Sequence, residues 1–156
     1  MINKKLFTVI TFLCLLSCGY QPIYSSKESV VLIKKIELAE KNSINNKIRN
    51  VLKIYQKNDG AERFYDLKIS SEKNKVILTK NSKGDPKLFA LNILIKIEVI
   101  ENNFLKETKS FEKTLNYKNS ENKFDLKQFE NKITLNLTNK IIEEIIIYLQ
   151  TIQDDS

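Results

Sequence analysis

Six alternate positions, Phe89, Leu91, Ile93, Ile95, Ile97 and Val99, are all apolar. No other feature restricts the fold of this chain as much. Alternation at period two puts all six on one face of an extended strand. A face of that length has to be covered by something equally long. The intervening positions read Leu88, Ala90, Asn92, Leu94, Lys96, Glu98 and Ile100, a mixed surface. The strand is therefore expected in a sheet that is covered on one side and partly open to solvent on the other. Residues 126–150 supply the cover, with Leu126, Phe129, Ile133, Leu137, Ile141, Ile145, Tyr148 and Leu149 along one helical stripe. As a helix they measure roughly 37 Å, against roughly 43 Å for residues 88–100 as a strand.

The other elements follow from period and punctuation. Val30, Leu32, Ile36 and Leu38 share one face of a first strand. Asn42 or Ser43 then caps a helix whose stripe is Ile44, Ile48, Val51, Leu52 and Tyr55, stopped by Asp59-Gly60. Tyr65, Leu67 and Ile69 align in a second strand, but Val76 and Leu78 have the opposite parity, which predicts a bulge or break near Ser71–Asn74. Asn81 to Pro86 is turn chemistry, and Asn102-Asn103 turns the chain again. Residues 104–117 form a fourth strand with Leu105, Phe111, Leu115 and Tyr117 on one parity, and Asp125 is the expected N-cap of the long helix. The fold class is α+β: one mixed, mainly antiparallel four-stranded sheet with two helices packed on one face, in the order β-α-β-β-β-α. It occupies residues 29–156 as a single domain.

What precedes that domain has a different character. Lys4 and Lys5 open the chain, and Leu6 to Leu16 carries no charge. Eleven uncharged, mostly apolar residues suit a signal-peptide core and fall short of the roughly 20 that a membrane-spanning helix needs. Leu15-Leu16-Ser17-Cys18 resembles the lipobox read by bacterial lipoprotein signal peptidase. Residues 1–17 are thus expected to be a lipoprotein signal peptide, and residues 18–28 a lipidated tether. Cys14 leaves with the signal, so Cys18 is the only cysteine of the mature chain and no intramolecular disulfide is expected. The covalent lipid on Cys18 is the only attached group expected; no cofactor is implied.

Composition narrows function further. The net charge of +7 falls to +5 in the mature chain, carried by lysine in a background of Asn and Ile; Arg49 and Arg63 are the only arginines. Nucleic acid is not the expected partner of an exported protein, whose anionic partner is a lipid phosphate. The chain has no histidine, which removes the commonest catalytic base and zinc ligand. Three glycines cannot build a phosphate-cradling loop. Glu143-Glu144 and Asp154-Asp155 are adjacent residues and read as solvated surface. The chain is expected not to be an enzyme.

The lipobox, the mature start Cys18-Gly19-Tyr20-Gln21-Pro22-Ile23-Tyr24, the element order, and Asn116-Tyr117 closing the strand before the last helix resemble the LPS-assembly lipoprotein family, LptE. The resemblance implies an outer-membrane lipoprotein facing the periplasm. It would sit inside the β-barrel LptD, assist its assembly and help deliver lipopolysaccharide to the outer leaflet. Only Cys18 carries a role across residue by residue. Lys80, Lys83 and Lys87, gathered around the central turn, are candidate contacts for lipopolysaccharide phosphates. Leu88, Leu94 and Ile100, on the mixed face, are candidate partner-facing residues. Two other readings stay open: an envelope lipoprotein of another kind, such as an ABC-transporter auxiliary or lipid-binding protein, and a lipid-anchored enzyme.

Overall fold

The computed structural model describes residues 33–56 and 64–154. The expected signal peptide, Cys18, the tether, Val30, Leu32 and Asp59-Gly60 lie outside the described residues. The elements are β1 (Ile33–Leu38), α1 (Ser43–Leu52) with a 3-10 turn (Lys53–Tyr55), β2 (Tyr65–Lys80), β3 (Pro86–Glu101), β4 (Phe104–Lys118) and α2 (Lys123–Asp154). The strands lie in the order β1-β2-β3-β4; β1 is parallel to β2, and the other two pairings are antiparallel. This is the expected β-α-β-β-β-α mixed sheet. The helices touch each other, α1 against β1 and β2 and α2 against β3 and β4.

The core lies between sheet and helices, on the unbroken face of β3. Leu91, Ile93, Ile95, Ile97 and Val99 are fully buried there, with Tyr65, Leu67 and Ile69 of β2, Phe111 and Tyr117 of β4, and Ile133, Leu137, Ile141, Ile145 and Leu149 of α2. Hydrophobic burial on one face thus fixes the register of β2 on β3: a one-residue slip of β2 would turn Tyr65, Leu67 and Ile69 to solvent.

Side-chain caps set the helix starts. The Asn42 side chain accepts from the Asn45 amide at 2.8 Å and hydrogen-bonds the Ser71 hydroxyl of β2, tying the start of α1 to the sheet. Asn45, fully buried, donates to the Glu40 carbonyl at 2.8 Å. For α2 the cap is Asn122, whose side chain accepts from the amides of Phe124 and Asp125. Asp125, the expected cap, sits instead in the first turn, where its charge complements the helix dipole.

Four further expectations are corrected. β2 has no bulge at Ser71–Asn74: its register against β3 runs unshifted from Tyr65 to Ile77 and shifts only around Thr79. Val76, Ile77 and Leu78 all stay exposed, so their parity never has to match the core. Leu105 leaves the face of Phe111 because the register shifts between Val99 and Ile100, which sets Leu105 opposite Ile100. Leu115 keeps its parity but remains exposed. Phe129 is also exposed, because Glu130 takes the inward slot one turn after Leu126. In β1, a shift between Ile33 and Lys35 lets Ile33 bury beside Ile36 and Leu38 despite its opposite parity.

Candidate partner-facing surfaces

The uncovered face of the sheet is a patchwork. Leu88, Leu94 and Ile100 are half-buried on it, as expected of the mixed face. Polar ladders separate them. Asn92 donates to Glu112 at 2.6 Å and to Thr114 at 2.8 Å, while Glu98 pairs with Lys96 and Lys68. Hydrogen bonding to Lys96 holds the Glu98 carboxyl below its usual value, against the opposing effect of burial. The three apolar candidates share a face but not a patch. Six residues separate each from the next, about 20 Å along a strand.

The three lysine candidates, by contrast, come to one place. Lys80 ends β2, Lys83 lies in the turn and Lys87 is the second residue of β3; all three are exposed and none is in a salt bridge among the described residues. The turn that gathers them is rigid. The Asn81 side chain accepts from the amides of Lys83 and Asp85 at 2.9 and 2.8 Å, and Gly84 adopts φ +88°, which suits a residue without Cβ. Leu88 sits at the same end of the molecule.

Behind that hairpin lies a network not anticipated in the sequence. The Lys75 ammonium pairs with Glu130 of α2 and stands 4.0 Å from the Phe89 ring centre. The Tyr117 hydroxyl donates to the same carboxylate at 2.6 Å, and its ring stacks on Phe89. Burial alone would raise the Glu130 pKa; Lys75 and Tyr117 more than reverse this and hold it low. Burial, then Glu130, pushes the Tyr117 hydroxyl well above its ordinary value. The available signal was a charged residue at an inward position of an otherwise apolar helix stripe. This cluster pins the first half of α2 to the hairpin strands.

A groove of about 370 Å³ runs between the first turn of α1 and the middle of α2, lined by Ile44, Lys47, Lys73, Leu135 and Thr138 among others. Among the described residues, no three His, Cys, Asp or Glu side chains gather closely enough to hold a metal ion. No described helix is long and apolar enough to cross a membrane.

A four-stranded sheet under two helices, with a long hairpin, is a shape seen before. The rare lipoprotein B of Shewanella oneidensis superposes with a TM-score of 0.60 at 12% identity, over 78% of this chain and 97% of that one. The chain shares the fold of these lipoproteins. A minor lipoprotein from Acinetobacter baumannii matches with a TM-score of 0.56 at 16% identity, over 76% and 91% of the two chains. An uncharacterized lipoprotein B from Nitrosomonas europaea matches with a TM-score of 0.54 at 12% identity, over 81% and 88%. No protein-family model and no curated protein matches the sequence. The likeness is therefore one of architecture, with side chains almost wholly exchanged.

Proposed function

We propose that this chain is an outer-membrane lipoprotein of the LptE kind, anchored by lipid on Cys18 and facing the periplasm. It assists assembly of the β-barrel LptD and delivery of lipopolysaccharide to the outer leaflet. The observation that carries the reading is the conjunction of a lipobox at Cys18 with a fold shared by proteins described as lipoproteins. The surface chemistry agrees with a binding role. The uncovered sheet face offers apolar positions set among satisfied polar groups, the texture of a surface that meets a partner rather than a core. The lysines at the hairpin end suit phosphates of lipid A, because an exposed cation attracts a doubly charged headgroup while it remains solvated. The protein acts without covalent chemistry and without a cofactor. Depletion in the native bacterium tests this. The expected result is loss of lipopolysaccharide from the cell surface and loss of correctly assembled barrel. Normal surface lipopolysaccharide after complete depletion contradicts it.

A further inference from the structure

The outer edge of β4 has no partner strand among the described residues. An edge strand presents a row of unpaired N–H and C=O groups, which a further strand can satisfy. β4 is long for an edge, Phe104–Lys118, against Ile33–Leu38 for β1 on the other side of the sheet. It contains no proline, and its register on β3 is unbroken from Glu107 to Lys118. Apart from the irregularity beside Lys106, its guard is charge: Glu107, Lys109, Glu112, Lys113 and Lys118 are spread along it.

Charge also decides what can pair with it. Consider a second copy joined edge to edge, with both helical layers on the same side of the sheet. The two β4 strands then run antiparallel about a two-fold axis that passes through one residue, which faces itself. Centring on Lys109 or Lys113 sets lysine against lysine, and centring on Glu112 sets glutamate against glutamate. Centring on Phe111 sets Lys109 against the second copy's Lys113. Ser110 is different. It opposes each Glu107 to the second copy's Lys113, twice by symmetry, sets Thr108 against Glu112, and brings no like charges together. Thr108 or Thr114 as the centre also avoids like charges, but pairs only residues 104–112 or 110–118, against 104–116 for Ser110. The charges that obstruct other symmetric pairings thus favour this one.

The helical layer supplies a contact at the same axis. α2 lies over both β3 and β4. Two copies joined through β4 therefore hold their α2 helices about two strand spacings apart, roughly 10 Å, close to the 8–10 Å at which helices pack. On α2, Glu144 pairs with Lys113, and Tyr148 meets the Phe111 ring and the Lys109 ammonium. This stretch of helix stands over the part of β4 around Ser110. Ile147 projects from it on the side away from the α1 groove and is 61% exposed.

We infer that the edge of β4 is a self-association surface, on which a second copy of this chain adds its own β4 antiparallel about Ser110. The two sheets become one, with both α2 helices on the same side and the Ile147 side chains shielding each other near the axis. Lys113 is then shared between Glu144 of its own chain and Glu107 of the second copy. The inference goes beyond the proposed function and does not rest on it.

Ser110→Cys tests it. A residue on the axis has its Cα about 4.5–5.5 Å from its own copy, inside the range that a disulfide spans. The full chain, purified alone from membranes in mild detergent, is gently oxidised and digested. The readout by mass spectrometry is the peptide pair bridged through the introduced cysteines, which Cys18 cannot mimic. The expected result is that bridge for Ser110→Cys and none for Thr108→Cys, whose two copies lie on one face but roughly 14 Å apart. Both positions are exposed, so neither variant disturbs the core. Adding Glu107→Lys to Ser110→Cys should cut the yield several-fold, and adding Lys113→Glu to that pair should restore it. Equal bridging by Ser110→Cys and Thr108→Cys is random collision and overturns the inference. So does the absence of a bridge from a Ser110→Cys protein that melts like the parent by circular dichroism. A yield that ignores Glu107→Lys overturns the pairing about Ser110.

Discussion

Ile95 and its neighbour Leu94 point to opposite faces of β3, and substitutions there separate a covered face from an open one. Ile95 is fully buried under the helices. Losing its side chain costs about 2–5 kcal/mol. Burying an unpaired carboxylate in its place costs several more. Ile95→Asp should therefore remove most of the roughly 5–15 kcal/mol that holds such a domain folded. Leu94 is half-buried and stands in register between Glu72 of β2 and Glu112 of β4. An aspartate there would meet two like charges, so lysine is the cleaner probe. Leu94→Lys gives up on the order of 1 kcal/mol of partial burial and regains about 0.2–1 kcal/mol from each cross-strand pair. Thermal melting by circular dichroism should show Leu94→Lys within a few degrees of the parent and Ile95→Asp without a cooperative transition. If the proposed function holds, the same Leu94→Lys protein should bind an outer-membrane barrel more weakly than the parent does. A large drop in melting temperature for Leu94→Lys would mean that both faces are packed, and the one-sided sheet would be wrong.

Other outcomes follow from the hairpin end and the anchor. Glu130 is held below its unfolded value of about 4.3, so its contribution is complete above that pH and lost as pH falls through the folded value. Glu130→Gln should cost about 1–2 kcal/mol at pH 7, with the difference from the parent shrinking in melts below pH 4; a constant difference refutes the ionic role. Tyr117 titrates above its unfolded value, so the same cluster should also lose stability as pH rises past about 10. Replacing Lys80, Lys83 and Lys87 together by serine should weaken lipopolysaccharide binding and flatten its salt dependence; unchanged affinity at all ionic strengths leaves those lysines as mere solvated surface. Cys18→Ala should abolish acylation, leaving an uncleaved or soluble protein that still folds; normal acylated membrane protein from that variant refutes the anchor.

The fold was legible wherever burial forces a period. Phe89 to Val99 and the stripe from Leu126 to Leu149 name the two long partners, and their matching lengths say that one covers the other. Legibility failed where a side chain is free not to be buried. Val76 and Leu78 looked like a parity conflict that needed a bulge, but the sheet runs past its helical cover and leaves them in solvent. Phe129 looked like core because it falls at helical spacing between Leu126 and Ile133, but the inward slot belongs to Glu130, which Lys75 and Tyr117 satisfy. Such pairing depends on which strands lie side by side, and a linear chain does not display that. The lysine hairpin was visible because turn chemistry is local.

What the protein holds in membranes tests the proposed function most directly. The full chain, affinity-tagged at its C-terminus and purified from membranes in mild detergent, should carry one dominant stoichiometric partner by mass spectrometry. The prediction is an outer-membrane β-barrel with lipopolysaccharide in the same complex, and a mass on Cys18 equal to its lipid. An inner-membrane transporter as the dominant partner, or a Cys18 without lipid, would contradict it.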